Sequence, residues 1–176
     1  MPPHTFQSPT FGQLSESQVV NHIQAFVTAQ RERAYRLIVG TDSLPSNGHG
    51  SYLVTAIVLH RVGRGGIYFW QRQLVKRLPT LRDRMYAEAL ASISMAQRLE
   101  QQASLQPLVR SNLEIHVDVG EAGPTREMIQ EIVGMIVAHG YLAKIKPDSF
   151  AASKVADRHT IPVPHLAFAS VAVRQS

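Results

Sequence analysis

One short segment, residues 36–43, constrains the fold of this chain more than any other, because it is an aliphatic, β-branched run that stops at a carboxylate. Ile38 and Val39 predict a buried strand, and the Pro, Asn and Gly residues of positions 45–50 predict a loop directly after it. Asp42 is therefore expected at the end of a strand. A carboxylate at such a place needs a cation, a backbone cap or water, since burying an unpaired charge is costly.

Two more acidic residues have comparable settings. Asp118 ends the apolar run of residues 113–118, and Asp148 follows the run of residues 143–147. Carboxylates gathered at the same end of neighbouring strands repel one another unless a divalent metal ion holds them together. The pattern therefore predicts a metal site with Mg²⁺ or Mn²⁺, the hard ions that oxygen ligands suit.

The composition limits the class of protein. The 176 residues suffice for one domain with its own core, they include no cysteine, and they contain no apolar run long enough to span a bilayer. We expect a soluble, cytoplasmic protein without a membrane partner. The formal net charge of +5 favours polyanionic partners, nucleic acid among them.

The first half of the chain predicts a helix and an antiparallel meander. Residues 1–14 have little periodicity and predict a tail or a packed-on arm, after which Ser15 and Gln18 form a capping pattern for a helix. Strands are predicted at residues 35–42, 51–62 and 67–76, with a glycine-rich hairpin turn at residues 63–66.

A long helix is predicted at residues 81–102, with Thr80 as its N-cap. Glu88 lies three residues after Met85 and four before Ser92, so it shares their apolar face and is directed at the sheet. An acidic residue on such a face has two explanations, which are a structural ion pair and a functional site.

The second half predicts a βαβ unit. A polar connection at residues 104–112 leads to the strand that ends at Asp118, then to a helix that starts at Pro124 and stops at Gly140, and to a strand at residues 141–145. These strands should be parallel. A short helix at residues 150–158 carries Asp157, and a tail follows. The expected fold is α/β, a five-stranded mixed sheet with helices on both faces.

This order of elements resembles the ribonuclease H-like fold, and the motifs are similar to those of the YkuK family of predicted ribonuclease H-like proteins. The resemblance covers roughly residues 35–158, which we interpret as the core of a single domain of residues 1–176, flanked by an arm and helix at 1–34 and a tail at 159–176. The motifs are Val-Gly-Thr-Asp-Ser at 39–43, Tyr-Ala-Glu-Ala-Leu at 86–90, His-Val-Asp-Val-Gly at 116–120, and residues 146–157 from Lys-Pro-Asp to Ala-Asp.

The resemblance implies a set of acidic residues that act as metal ligands and catalytic groups. It places Asp42 and Asp118 at the centre of the sheet, with Glu88 beside them. For the fourth acid it favours Asp157 in the last helix and keeps Asp148 as the alternative. Two Mg²⁺ or Mn²⁺ ions held in this way would support hydrolysis of a phosphodiester in RNA, an RNA–DNA hybrid or structured DNA.

Two other functions fit parts of the same pattern. The first is a nucleic-acid-binding module that keeps the fold without turnover. The second is phosphoryl transfer on a nucleotide, suggested by the glycine-containing segment at residues 118–125. Further candidates are His116 as a proton acceptor, the aromatic residues 68–70 as base-stacking groups, and basic residues as phosphate contacts. The basic candidates are Arg72, Lys76, Arg77, Arg82, Arg84, Lys144, Lys146, Lys154 and Arg158.

Overall fold

A computed structural model describes residues 5–45, 50–119, 126–149, 154–155 and 158–159. The described strands form one mixed sheet in the order β2-β1-β5-β4-β3-β6-β7. The strands are β1 (Phe6–Ser8), β2 (Gly12–Leu14), β3 (Tyr35–Pro45), β4 (Ser51–Arg61), β5 (Gly66–Val75), β6 (Leu113–His116) and β7 (Leu142–Lys144). The helices are α1 (Glu16–Thr28), α2 (Leu81–Glu100), α3 (Gln106–Asn112) and α4 (Arg126–Ala138).

The predicted meander and the predicted parallel pair are both confirmed. Strands β3, β4 and β5 pair antiparallel, while β6 runs parallel to both β3 and β7. The β4–β5 turn depends on Gly63 and Gly65, whose φ angles of 74° and 78° favour glycine. The helix α4 connects β6 to β7, as a βαβ unit requires.

The expectation that strand β3 ends at Asp42 is wrong. The strand continues to Pro45, and its pairing with β4 continues through Asp42–Val54 as far as Pro45–Ser51. A proline is tolerated at the last position of a strand because the missing N–H removes no bond from the interior of the ladder. Asp42 therefore lies within a strand, with three residues of β3 beyond it.

The sheet has seven strands among the described residues, and the expected five is wrong. The two extra strands, β1 and β2, come from the N-terminal arm, which packs against β5 as a hairpin. Burial explains why this arm is ordered: Phe6 is fully buried and Leu14 is almost so. Strands of three residues show too little alternation to be recognised from sequence.

Helices α1 and α2 begin where their capping residues predict. Ser15 and Gln18 form a reciprocal capping box at the start of α1, and Thr80 and Asp83 form another at the start of α2. Helix α3 was expected to be a polar connection, and that prediction is wrong. Its N-cap residue makes no side-chain cap, and Val109 is its one buried residue, so the sequence offers little periodicity there.

The two faces of the sheet are covered differently. Buried residues of α1, α2, α3 and α4 join alternate strand residues such as Val39, Ile57 and Ile115 in the main core, which defines the helix face. The opposite face, here called the second face, carries a smaller cluster of Val54 and Ala56 with Trp70 and Val155. Residues 154–155 and 158–159 have helical backbone, so helical structure contributes to both faces. In the described part of the chain every helix is too short or too polar to cross a bilayer.

Candidate functional site

Glu88 faces the sheet from α2, as its spacing from Met85 and Ser92 predicts. The Ser43 hydroxyl donates a hydrogen bond of 2.5 Å to Glu88 Oε1. Burial, with a smaller contribution from the charge of Asp42, raises the pKa of Glu88 to about 7, although the hydrogen bond from Ser43 and the charge of Arg84 oppose the rise. Near neutral pH this carboxyl therefore takes up and releases a proton easily.

A buried set of hydroxyl groups holds α2 against the sheet directly below Glu88. Ser92 Oγ donates to Thr41 Oγ1 at 2.9 Å and also lies 2.9 Å from the Glu88 carbonyl oxygen. Thr41 and Thr55 share a further hydrogen bond of 3.0 Å. These three side chains are at most 4% exposed, so their polar groups satisfy one another in place of water. The network fixes the register of α2 on β3 and with it the position of Glu88.

Asp42 is the second member of an acidic pair. Its Oδ1 accepts the backbone N–H of Ser43 at 2.9 Å, and its charge contributes to the raised pKa of Glu88. Two neighbouring carboxylates of this kind stabilise a proton or a cation between them, because both cannot stay charged without cost. The structure thus brings together two of the acids that the sequence predicts.

Asp118 lies two residues beyond the end of β6. The register places His116 opposite Gly40, so Asp118 comes level with Asp42 on the second face if the ladder is extended by two residues. Its Oδ1 is 2.6 Å from Lys146 Nζ, and its side chain is 34% exposed. In that extended register Asp118 would lie opposite Asp42, and the Lys146 ammonium is the counterion of its carboxylate.

The two candidates for the fourth acid are Asp148 and Asp157. Asp148 is exposed in the turn after β7, where its N–H donates to the Ile145 carbonyl at 2.9 Å. Its charge helps to raise the pKa of Arg36, after the larger effect of the Arg36–Glu114 hydrogen bonds. Asp148 therefore lies near Arg36. Asp157 lies outside the described residues.

A partly buried ion pair supports His116 on the second face. Arg36 donates to Glu114 through Nε at 2.9 Å and Nη2 at 2.6 Å, and Glu114 Oε2 lies 3.1 Å from His116 Nε2. Burial lowers the pKa of His116, so the ring is neutral at neutral pH. Although burial opposes it, hydrogen bonding to Arg36 and His116 holds the pKa of Glu114 below its ordinary value. His116 is therefore held through Nε2 by Glu114, whereas its buried Nδ1 has no hydrogen-bond partner among the described residues.

The donor atoms fit a hard divalent ion in their chemistry, because Asp42, Glu88 and Asp118 offer only carboxylate oxygens. The described residues contain no group of three or more His, Cys, Asp or Glu side chains arranged to hold a metal. Of the predicted acids, the structure thus places Asp42 and Glu88 near each other, and the Asp118 carboxylate is paired with Lys146.

Comparison with known proteins places this chain in a family. The family model described as Ribonuclease H-like matches residues 18–161, which is most of the chain. The chain belongs to the ribonuclease H-like family. It is also 32% identical to the uncharacterized protein YkuK of Bacillus subtilis (strain 168) over 166 residues, covering 85% of this chain and 96% of that protein. No solved structure matches the chain.

These comparisons confirm the resemblance to YkuK and to ribonuclease H-like proteins that the motifs indicate. The structure separates the residues around Glu88 that sequence reasoning found from those it missed. Glu88 was found by its position on an apolar helix face. Ser43 and Ser92 were missed as supports of Glu88, although one directly follows Asp42 and the other lies four residues after Glu88, where a helix brings side chain and carbonyl together.

Proposed function

We propose that this ribonuclease H-like protein hydrolyses phosphodiester bonds in nucleic acid with the help of Mg²⁺ or Mn²⁺. The observation that carries the proposal is the hydrogen bond from Ser43 to Glu88, which brings Glu88 to the residue next to Asp42, where the Asp42 charge contributes to its raised pKa. A hard cation relieves such repulsion as a proton does. The family membership supports a function that involves nucleic acid.

In this proposal Asp42 and Glu88 hold the ion, and Asp118 joins them when Lys146 releases it. Asp157 is the favoured fourth acid and Asp148 the alternative. Divalent ions in carboxylate sites activate water and stabilise the oxygen that leaves a phosphodiester. The serine hydroxyl of Ser43 keeps Glu88 in place by its 2.5 Å bond while the ion and substrate bind.

Basic residues near the acidic pair suit the phosphates of a substrate. Arg84 lowers the pKa of Glu88 by its charge, so its guanidinium is close to the pair. Lys146 already binds an anion, the Asp118 carboxylate, at 2.6 Å. Lys76 and Arg77 are exposed just after β5, next to the edge of the sheet where β3 ends at Pro45. Such residues position a phosphate backbone without reading its sequence.

The test is a panel of labelled single-stranded RNA, RNA–DNA hybrid, DNA duplex and DNA junction substrates, each incubated with Mg²⁺, with Mn²⁺ and with a chelator. We expect metal-dependent cleavage of at least one substrate by the wild type, and none by Asp42→Asn. The exposed acid Glu32, changed to Gln, provides the matched control and should cleave as the wild type does. Absence of cleavage throughout the panel, or equal cleavage by Asp42→Asn, would contradict the proposal.

A non-catalytic nucleic-acid-binding module on the same fold is the second candidate. The observation in its favour is the Lys146–Asp118 ion pair, because a lysine in this place satisfies the third acid without a metal. This alternative predicts binding that needs no divalent ion and persists in Asp42→Ala. A salt titration of binding in the presence of a chelator, with and without that substitution, distinguishes the two functions.

A further inference from the structure

Strand β5 presents aromatic and basic side chains on the second face of the sheet. Tyr68, Trp70 and Arg72 alternate with the core residue Phe69, which is fully buried on the helix face. Residues two apart on a strand are separated by about 6.6–6.8 Å, and their side chains point to the same side. The strand therefore presents two aromatic rings and a guanidinium in a row.

Trp70, the middle residue of this row, already has a planar heterocycle stacked on its ring. The imidazole of His159 stacks on Trp70 with ring centroids 4.3 Å apart and an angle of 14° between the planes. It also lies 6.0 Å from the ring of Tyr68. A planar heterocycle with this geometry resembles a stacked nucleobase.

The group next to the stacked ring is an oxygen acceptor held by an arginine. Arg72 Nη2 donates a hydrogen bond to the carbonyl oxygen of His159. The same guanidinium lies 5.5 Å from the centroid of Tyr52 and 6.0 Å from that of Trp70. A nucleotide has the same two parts, a planar ring and a nearby oxygen acceptor. Its phosphate oxygen is charged, so it would form a stronger hydrogen bond with the Arg72 guanidinium than the neutral carbonyl oxygen does.

The contact with His159 is replaceable. Its Nε2 atom is buried and has no hydrogen-bond partner among the described residues. A buried polar atom left without a partner is destabilising, so moving the ring into water removes that penalty. The stack on Trp70 is lost in the exchange, and a base that takes its place restores it.

We propose that Trp70, with Tyr68 and Arg72 beside it, is a stacking subsite for a base of single-stranded nucleic acid, and that His159 occupies it until the strand binds. This inference rests on the proposed function, since it names the form of nucleic acid that approaches the acidic pair. Aromatic stacking accepts any base, so the subsite selects unpaired strands and not a sequence.

The register connects this subsite to the acidic pair. Asp42 pairs with Val54, and Val54 pairs with Arg72, so these three residues form one row across the sheet. Neighbouring strands lie about 4.8 Å apart, which puts the backbones of Arg72 and Asp42 about 10 Å from each other. A strand of nucleic acid whose base stacks on Trp70 therefore has its next phosphates within reach of Asp42.

The experiment uses the full chain in a chelator, so that no cleavage can occur, and follows the fluorescence of Trp70, the single tryptophan of the sequence. An oligothymidylate is compared with an abasic strand of the same length and charge. We expect the oligothymidylate to quench the fluorescence and to bind about tenfold more tightly than the abasic strand, since a stacked base contributes about 1–3 kcal/mol. Equal affinity for the two strands, or unchanged fluorescence at saturation, would overturn the proposal.

Two variants separate the subsite from the fold and from catalysis. His159→Ala should bind the oligothymidylate more tightly than the wild type, and an unchanged or weaker affinity would overturn the role given to His159. Trp70→Leu keeps an apolar contact with Val54 and Ala56 and should lose the preference for bases, as measured by the anisotropy of labelled strands. Asp42→Asn should keep that preference, so a failure of catalysis and a failure of the subsite give different results.

Discussion

Replacing Glu88 with Gln should change how the stability of the metal-free protein depends on pH. The folded protein raises the pKa of this carboxyl from 4.5 to about 7, so between these values the folded chain binds a proton that the unfolded chain has released. The free energy of unfolding therefore falls as the pH rises through this interval. A glutamine does not titrate, and its Oε1 can still accept the hydrogen bond from Ser43.

The size of the effect follows from the same values. A pKa that rises from 4.5 to about 7 corresponds to at most about 3 kcal/mol of free energy. The contribution is fully present below the unfolded value and is lost once the pH passes the folded value. The free energy of unfolding of Glu88→Gln should therefore increase relative to that of the wild type as the pH rises, by up to about 3 kcal/mol at about pH 8.

The assay is urea unfolding of both proteins in a chelator, at several pH values from about 4 to about 8. The difference between the two proteins isolates Glu88, because their remaining groups titrate alike. Glu32→Gln, which removes an exposed acid, should follow the wild type at every pH. Parallel curves for the wild type and Glu88→Gln would refute the claim that burial and Asp42 raise this pKa.

Three further variants test the same site and its support. Asp118→Asn should weaken Mn²⁺ binding in calorimetric titration, and an affinity equal to that of the wild type would exclude Asp118 from the site. Because the Lys146–Asp118 pair is partly exposed, the same change should alter the metal-free stability by less than about 1 kcal/mol. Asp42→Asn should leave the metal-free melting temperature unchanged or raise it, since it relieves repulsion with Glu88, whereas a large decrease would point to a structural role. Ser92→Ala should destabilise the fold by about 1–2 kcal/mol in urea unfolding, because it leaves Thr41 and the Glu88 carbonyl without this partner.

The parts of this fold that sequence predicted are those set by local chemistry. The capping boxes at Ser15 and Thr80 mark the starts of helices α1 and α2, and the glycines at 63 and 65 mark the hairpin turn. The inward direction of Glu88 follows from helix geometry alone, and its contact with Ser43 confirms it. The membership in the ribonuclease H-like family was likewise visible from motifs in their order.

The parts that sequence did not predict depend on contacts between distant residues. The edge hairpin of β1 and β2 is ordered because Phe6 is buried against the core, and nothing within three-residue strands indicates that burial. Strand β3 extends past Asp42 because β4 pairs with it, which overrides the loop preference of Pro45. The pair of Arg36 and Glu114 joins residues 78 positions apart, which no local pattern indicates.

The central claim is that Asp42 and Glu88 form a cation site, and a crystal structure of the protein soaked in Mn²⁺ tests it most directly. Anomalous scattering identifies each manganese ion, and the same crystals soaked in Mg²⁺ provide the comparison. We predict an ion bound by carboxylate oxygens of Asp42 and Glu88, with Asp118 turned from Lys146 towards it. A crystal that binds manganese elsewhere, while Asp42 and Glu88 keep their present partners and no ion lies between them, would contradict the account.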